Sequence, residues 1–399
     1  MEDRYERRQF LIGTGAAALS TALPMPMLRA ANAPEEFNIA AILAFSGAYG
    51  LIGNDMRLGA ELAVKRRGGK VLGKPIRFNW EDDETKPQPA VQKATRLLAG
   101  GANMIFGAVG SASTLALQSL ATQRKIPQLV TISADDVITK RNGSRYSFRT
   151  SNTLGMEVKM CMEFIKSAGL KKIYTVTADY QATRDGYEQL KAMCEADGTV
   201  EIVGNDFAPL GNRDYSVIID KMANSDADGI AVMATGNDGV TFVKQAGQVG
   251  LGNDRTILGP VLQDETFAAA TGDAALGVYS GVRYHFSLDN AANNEFVEAY
   301  RAEHGAFPSS FAGEAYDGLS WWFDVIEETD SWDVETWVDA FENSVRENSL
   351  EGRKEMRACD HQAAQVGLWG KVVRGEDPLP PLTMEITNIF PAESLFDAC

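Results

Sequence analysis

Residues 37–45 read FNIAAILAF, and residues 53–67 read GNDMRLGAELAVKRR. The first stretch is a short apolar run with the length of a buried β-strand, whereas the second has the mixed composition of an amphipathic helix. The same order recurs: IRFNWEDDE precedes a helix-like segment at about 89–98, and ANMIFGAV precedes SASTLALQSLATQRK. Apolar strands that alternate with helices predict parallel βαβ units, in which helices cover both faces of a sheet.

The alternation then starts again. KKIYTVTA at 171–178 opens a second series, which continues through TVEIVGNDF and DGIAVMAT to RTILGPVL. Residues 286–360 look mostly helical, with too few strands for a third sheet, and are expected to pack back on the first series. The fold class is therefore α/β, with two doubly wound parallel-sheet lobes joined by a hinge that the chain crosses several times. The predicted division is 37–149 and 286–360 for lobe 1, 150–285 and 361–385 for lobe 2, and 386–399 for a C-terminal tail.

The composition excludes some classes of partner. The chain has 399 residues, a formal net charge of -16 and 45% apolar residues. Nucleic-acid binding requires clustered Lys and Arg, and such clusters are short here, so no nucleic-acid partner is expected. After the first thirty residues, no apolar run reaches the roughly 18 positions of a membrane helix.

The N-terminus has the order of an export signal. Arg4, Arg7 and Arg8 precede an apolar stretch at 10–23, and small residues follow at 31–33. A basic region, a short apolar stretch and a small-residue cleavage site are typical of bacterial export signals. The order Arg-Arg-Gln-Phe-Leu resembles the twin-arginine signals that carry folded proteins across the inner membrane. We therefore expect a periplasmic protein.

The cleavage point has two candidates. The predicted signal spans residues 1–33, with cleavage after Ala33. Pro34 directly after this bond would hinder a peptidase, so cleavage after Ala30 is the alternative.

The four cysteines are Cys161, Cys194, Cys359 and Cys399. An oxidising periplasm permits disulfides. No pair has CxxC or zinc-finger spacing, so no metal site is expected. The predicted bridges are Cys359–Cys399, which would tie down the C-terminal tail, and Cys161–Cys194, on helices that flank one strand.

Catalytic motifs are missing from the sequence. The three histidines are His285, His304 and His361, and none lies in an HExxH or CxxCH setting. No GxSxG nucleophile elbow occurs. We expect neither an enzyme nor a cofactor, although an exported hydrolase or oxidoreductase remains the alternative from a different functional class.

The turn GAVGSAS at 107–113 follows a strand and opens a helix. Helix N-terminal amides and the hydroxyls of Ser111, Ser113 and Thr114 offer donors to a small anion at the carboxyl end of a parallel strand. A second turn of this kind, TISADD at 131–136, follows the next strand. These turns predict a ligand site at the edge of the first lobe.

Asp238 lies in ATGNDGVTFVKQAG, just past a strand of the second lobe and at the start of a helix. A carboxylate at this place stabilises the helix dipole. It would also serve as the counter-charge for a ligand ammonium group across the cleft. The sequence leaves both interpretations open.

At these residues the chain resembles the type 1 periplasmic solute-binding proteins of ABC importers, of the leucine/isoleucine/valine-binding kind. The resemblance implies two lobes that close over one solute and present it to a membrane permease without covalent chemistry, and a monomer is expected. A sensor of the same fold that reports to a regulator is the alternative. The matching stretches are LAFSGAYGLIGNDMRLGAELAV, IFGAVGSASTLAL, FRTSNTLG, VKQAGQVGL, FVEAYRAEHGAFPSSFAGEAYDGL and RACDHQ.

The resemblance assigns roles to particular residues. The family's carboxylate-binding serine corresponds to Ser111, and its ammonium-binding acid corresponds to Asp238. In the second turn, the family's threonine is replaced by Ala134, and Ser133 would take its place only with a local shift.

The residues that pack on the ligand depart from the family pattern. Tyr49 and Tyr180 are expected to line the wall, near Ile52. The Tyr-Gly that follows in the family is replaced by Ala182-Thr183. We therefore expect a pocket reshaped for an amino-acid-like solute, an aromatic acid, an amide or another carboxylate.

Overall fold

The computed structural model describes residues 33–140 and 143–396. Most of the predicted export signal therefore lies outside the described residues. Within them, no helix combines the length and the apolar character needed to cross a membrane.

Sixteen strands form three sheets in the described part of the chain. They are β1 (Phe37–Leu43), β2 (Lys70–Val71), β3 (Lys74–Asp82), β4 (Met104–Gly107), β5 (Gln128–Val130), β6 (Ser147–Arg149), β7 (Lys172–Ala178), β8 (Glu201–Ala208), β9 (Gly229–Met233), β10 (Thr256–Gly259), β11 (Tyr279–Val282), β12 (Val345–Ser349), β13 (Gly352–Met356), β14 (Ala363–Ala364), β15 (Gly367–Arg374) and β16 (Leu382–Phe390).

Twelve α-helices cover these sheets within the same residues. They are α1 (Gly50–Arg66), α2 (Pro87–Ala99), α3 (Ser111–Arg124), α4 (Leu154–Ser167), α5 (Gln181–Asp197), α6 (Ser216–Ala223), α7 (Asn237–Gln248), α8 (Glu265–Thr271), α9 (Ala291–His304), α10 (Ser310–Thr329), α11 (Val334–Phe341) and α12 (Ala392–Leu395).

The first sheet has the order β2-β3-β1-β4-β5-β6, and all its neighbours are parallel except the hairpin β2–β3. The second has the order β16-β15-β11-β10-β9-β7-β8. Its five strands β7 to β11 are parallel, while β15 and β16 add an antiparallel edge. The prediction of two doubly wound α/β lobes is confirmed.

Both sheets reverse their strand order beside their first strand, at β1/β4 and at β7/β9. In open α/β sheets, ligands bind outside the carboxyl ends of the strands at such a reversal. β1 is buried along almost its whole length, because it pairs on both edges and carries helices on both faces. The topology therefore places one candidate binding edge on each lobe.

Helix α10 packs closely on α1. A Cβ added at Gly59 of α1 would lie 2.0 Å from the carbonyl oxygen of Ala312, so only glycine permits this approach. α10 and α11 contribute Phe323 and Trp337, whose rings pack edge-on against Phe37 of β1. The helical segment after β11 thus completes the core on one face of the first sheet.

The prediction that residues 286–360 lack a sheet is wrong. β12, β13 and β14 form a small antiparallel sheet. The sequences of β12 and β13 are VRENS and GRKEM, and such charged segments lack the apolar pattern by which strands are predicted. The buried Lys354 of β13 forms ion pairs with acidic side chains of α10, and Met356 of the same strand joins the apolar core.

The predicted tail begins too early. β16 continues to Phe390, so residues 386–390 pair with β15 in the second sheet. Pairing extends this far because β15, with 8 residues, offers partners along the 9 residues of β16, from Leu382 to Phe390.

The predicted Cys161–Cys194 bridge is wrong, because both thiols are buried and free. Cys194 Sγ instead lies 3.9 Å from the Sδ of Met162, so the α4–α5 register brings a methionine to this thiol. Burial raises the pKa of Cys194 to about 11 and that of Cys161 further, so both remain protonated. Cys399 lies outside the described residues, and the Cys359–Cys399 bridge stays a prediction.

Candidate functional site

A cavity lies between the two sheets and is lined by residues from both. Most of its wall is apolar, with a few polar groups. The lining residues are Tyr49, Ile52, Val109, Gly110, Ser111, Ile132, Ala134, Leu154, Glu157, Tyr180, Ala182, Thr183, Met233, Ala234, Thr235, Pro260, Val261, Arg283 and Phe311.

The carboxyl ends of the parallel strands supply most of this wall. Tyr49 follows β1 and Ser111 follows β4, so lobe 1 contributes both sides of its strand-order reversal. Tyr180 follows β7 and Thr235 follows β9, which is the equivalent place in the second lobe. The cavity therefore joins the two binding edges that the topology indicates.

Ser111 is the first residue of α3 and lines the cavity with 7% exposure. Its Oγ accepts hydrogen bonds from the Asp135 backbone N–H and from Ser133 Oγ, both at 3.3 Å. Because both bonds are accepted, the Ser111 proton remains for an acceptor in the cavity. Together with the positive end of the helix dipole, this hydroxyl suits an anionic group.

The neighbouring predicted residues do not all reach the cavity. Ser113 is buried and does not line the cavity. Ser133 supports Ser111 from behind, whereas Ala134 lines the cavity itself. The second turn therefore offers an apolar surface where the family has a threonine hydroxyl.

Tyr49 and Tyr180 both line the cavity, one from each lobe. Burial raises the pKa of Tyr180 to about 12 and that of Tyr49 well above its ordinary value, and each ring lies close enough to affect the other's pKa. Both phenols thus remain neutral. They form a wall with hydroxyl groups at the meeting point of the lobes.

Asp238 does not line the cavity. It is buried in the first turn of α7. Its carboxylate accepts a hydrogen bond from the Gly211 backbone N–H, whose nitrogen lies 3.1 Å from Oδ1 and 2.8 Å from Oδ2. Burial raises its pKa to about 6. Its charge also raises the pKa of Tyr49 and Tyr180, so it lies just behind these rings.

The sequence did not indicate an ion pair in the wall. Arg283 Nε lies 2.5 Å from Glu157 Oε1, and the two side chains are only 4% and 1% exposed. The Arg283 guanidinium also donates to the Ile132 carbonyl. Glu157 stands among the first residues of α4 and reads as an ordinary acid beside the helix dipole, and 126 residues separate it from Arg283. The sequence feature that could have indicated this pair is Arg283 itself, a charged residue directly after the apolar strand β11.

Hydrogen bonds hold the cleft closed. Asn237 Nδ2 donates to the Gly47 carbonyl at 2.9 Å, and Thr266 Oγ1 donates to Asp55 at 2.5 Å. Each bond joins a residue near the first sheet to one from the second-sheet segment. The two lobes are thus in direct contact across the cleft.

The family model for periplasmic binding protein matches residues 36–376. The chain belongs to this family. Its curated relatives include the Leu/Ile/Val-binding protein homolog 6 of Brucella melitensis, which is 28% identical over 298 residues, covering 71% of this chain and 74% of the relative. The type 1, leucine/isoleucine/valine-binding resemblance is confirmed.

Solved structures of other periplasmic binding proteins share the fold. A solute-binding protein of Rhodopseudomonas palustris BisB5, in complex with 3,4-dihydroxy benzoic acid, is 28% identical with a TM-score of 0.83, covering 90% of this chain and 98% of that one. Another R. palustris protein, in complex with benzoate, is 26% identical with a TM-score of 0.81, covering 89% and 97%. This periplasmic binding protein is thus a solute receptor of the ABC-importer kind.

Proposed function

We propose that this protein binds a small aromatic carboxylate in the closed cavity and delivers it, chemically unchanged, to an ABC importer permease. The observation that carries the proposal is the distribution of charge around the cavity. Ser111 and the N-terminus of α3 offer a site for an anion. The cavity carboxylate, Glu157, is already paired with Arg283, and Asp238 is bonded to Gly211 instead of lining the cavity.

This arrangement disfavours an α-amino acid. Its ammonium group would need an acidic partner, and the proposed role of Asp238 is to support Tyr49 and Tyr180 rather than to contact the solute. Burying an ammonium group without a paired acid is costly. The ligand-contacting residues are Ser111, Ala134 and the two tyrosines, with Ser113 and Ser133 behind them.

An aromatic body fits the remaining wall. Ile52, Val109, Leu154, Met233 and Phe311 add apolar surface to that of the tyrosines. The two R. palustris relatives are described in complex with 3,4-dihydroxy benzoic acid and with benzoate. The names of the curated relatives favour branched-chain amino acids as the second candidate.

Thermal unfolding with a solute panel tests the proposal. The mature protein is refolded to remove carried solute, then heated with benzoate, hydroxybenzoates, leucine, valine, short amides and urea. A solute at 100 times its dissociation constant adds about 2.7 kcal/mol, a shift of several degrees. A shift with aromatic acids and none with amino acids is expected, with the solute recovered unchanged. A shift with leucine or valine alone, or conversion of the acid, would overturn the proposal.

The route of export belongs to the same proposal. A twin-arginine signal at residues 1–33 directs the folded protein to the periplasm, where Cys359 and Cys399 form a disulfide and the receptor acts as a monomer. Intact mass after alkylation of the unfolded protein without reductant tests the bridge: two alkylated thiols, Cys161 and Cys194, are expected, and four would exclude it.

Changing Arg7 and Arg8 to lysine tests the export signal and should abolish export.

A further inference from the structure

Glu157 has one carboxylate oxygen in use and one without a partner. Oε1 accepts from Arg283, whereas Oε2 is buried and has no hydrogen-bond partner among the described residues. Glu157 lines the cavity and is 1% exposed. A buried charged oxygen without a donor is strongly unfavourable, so a donor supplied by the occupant of the cavity would satisfy it.

The two threonine hydroxyl groups of the wall already have hydrogen-bond partners. Thr183 Oγ1 donates to the Ala178 carbonyl at 2.5 Å, and Thr235 Oγ1 donates to the Val261 carbonyl at 2.7 Å. Neither residue has an unpartnered buried oxygen. Among the cavity-lining side chains that the structure describes, Glu157 therefore provides the one buried oxygen that lacks a donor.

The charges around Glu157 favour a neutral donor. Arg283 already neutralises the carboxylate, whose pKa is raised by burial and by Asp136 and lowered by Arg283 and by the second buried arginine, Arg149. Arg149 is held in place by the backbone carbonyls of Ser133 and Asp135. A ligand ammonium group would add a third positive charge in a region of low dielectric constant, whereas a hydroxyl adds none.

Like charges also decide how the solute is oriented. A ligand carboxylate beside Glu157 would be repelled, so it lies at Ser111 and the N-terminus of α3. The end of the solute that reaches Glu157 must then be the end remote from its carboxylate.

We infer that the solute is a hydroxylated aromatic carboxylate, whose ring hydroxyl donates to Oε2 of Glu157. The inference rests on the proposed function and narrows it from aromatic acids in general to those that carry a phenolic donor. Glu157 is then a specificity-determining residue, and Arg283 positions its carboxylate.

Isothermal titration of the refolded wild-type protein tests this directly. The ligands are benzoate, 3- and 4-hydroxybenzoate, 3,4-dihydroxybenzoate and the matching methoxybenzoates, which keep the oxygen but lose the proton. Because a hydrogen bond to a charged acceptor is strong, at least one hydroxylated acid should bind about tenfold more tightly than benzoate and than its methoxy analogue.

A variant of Glu157 tests whether this residue causes the higher affinity for the hydroxylated acid. In Glu157→Gln, the preference for the hydroxylated acid should fall to less than about threefold, because the acceptor loses its charge. Glu188→Gln, the same change at an exposed residue of α5, should keep the full preference. If Glu157→Gln does not fold, because Arg283 loses its partner, the wild-type ligand series alone decides.

The outcomes separate the inference from the proposed function. Benzoate binding with no gain from any hydroxyl group would overturn the inference and leave the proposed function intact. A gain that persists in a folded Glu157→Gln protein would also overturn the inference. Failure of every aromatic acid to bind would overturn both.

Discussion

Ser111 has two neighbours that donate to its oxygen, and its own proton faces a cavity. This arrangement fixes the orientation of the hydroxyl before any solute arrives. Preorganised donors lose little entropy when a ligand binds, so a single serine contributes substantially to affinity.

We expect Ser111→Ala to weaken binding of the aromatic acid by about 10- to 100-fold, because the carboxylate loses a charge-assisted hydrogen bond. Isothermal titration measures the change. Ser119→Ala is the matched control, since Ser119 is exposed on the same helix and its hydroxyl donates to the Leu115 carbonyl. Unchanged affinity in Ser111→Ala would show that the carboxylate binds elsewhere.

Asp238 makes stability depend on pH. Burial raises its pKa in the folded protein to about 6, above the value of 3.8 for an unperturbed aspartate. The folded state therefore holds more protons than the unfolded state between these values, and this contribution to stability is lost as the pH rises through about 6.

Asp238→Asn removes this titration while keeping an acceptor for Gly211. Relative to the wild type, the variant should gain on the order of 2 kcal/mol between about pH 4.5 and pH 7.5. Urea unfolding at the two pH values measures the difference. Asp254→Asn, at an exposed position, should show no such gain. An equal stability difference at both pH values would contradict the assigned titration.

Helix α10 and strand β13 are joined by a cluster of buried charges. Lys354 Nζ lies 2.8 Å from Glu351, 3.0 Å from Asp317 and 3.5 Å from Glu314, and all four side chains are fully buried. Arg346 of β12 adds a second cation at 2.9 Å from Asp317. Such a cluster is stable only while every member is present.

Lys354→Met should destabilise the protein by about 3–5 kcal/mol, because three buried acidic side chains lose their shared cation. The neighbouring Arg353 has a side chain that is 52% exposed and forms surface ion pairs. Arg353→Met should therefore change the free energy of unfolding by less than about 1 kcal/mol. Urea denaturation compares the two variants, and equal effects would exclude a structural role for the cluster.

At the scale of the whole molecule, solute binding and release depend on how the two lobes close. The cavity exists only between them, and closure is held by a few direct bonds such as Asn237 to Gly47. Periplasmic binding proteins close around ligands by a hinge motion. A receptor that must release its solute requires a closed state of modest stability.

Asn237→Ala removes one bond across the cleft and should increase the solute dissociation rate several-fold, with a smaller change in the association rate. Stopped-flow fluorescence measures both rates. Asn224→Ala, at an exposed residue whose side chain donates to the Asp220 carbonyl of α6, is the control.

Small-angle scattering should show a smaller radius of gyration when solute is added, and no change would exclude hinge closure.

Much of this architecture is predictable from local sequence. The apolar run of β1 and the amphipathic pattern of α1 depend on side chains within a few positions of each other, so they identify strand and helix without tertiary information. The turn at Ser111 was likewise predictable, since it requires only a strand, a glycine-rich turn and a helix in this order.

Other features depend on the packing of distant segments. The charged strands β12 and β13 have no apolar alternation, and their stability comes from Lys354 meeting carboxylates of α10. The free state of Cys161 and Cys194 depends on the register of α4 against α5.

The sequence by itself determined the α/β class, the two lobes and the place of Ser111 at the cavity, because periodicity and turn chemistry are local properties. The tertiary structure alone decided which charges meet in the cavity. Glu157 and Arg283 are 126 residues apart and form their pair only when α4 packs beside β11, and Asp238 lies outside the cavity because its carboxylate binds Gly211. The pairing of buried charges depends on distances between folded segments, which no local pattern specifies.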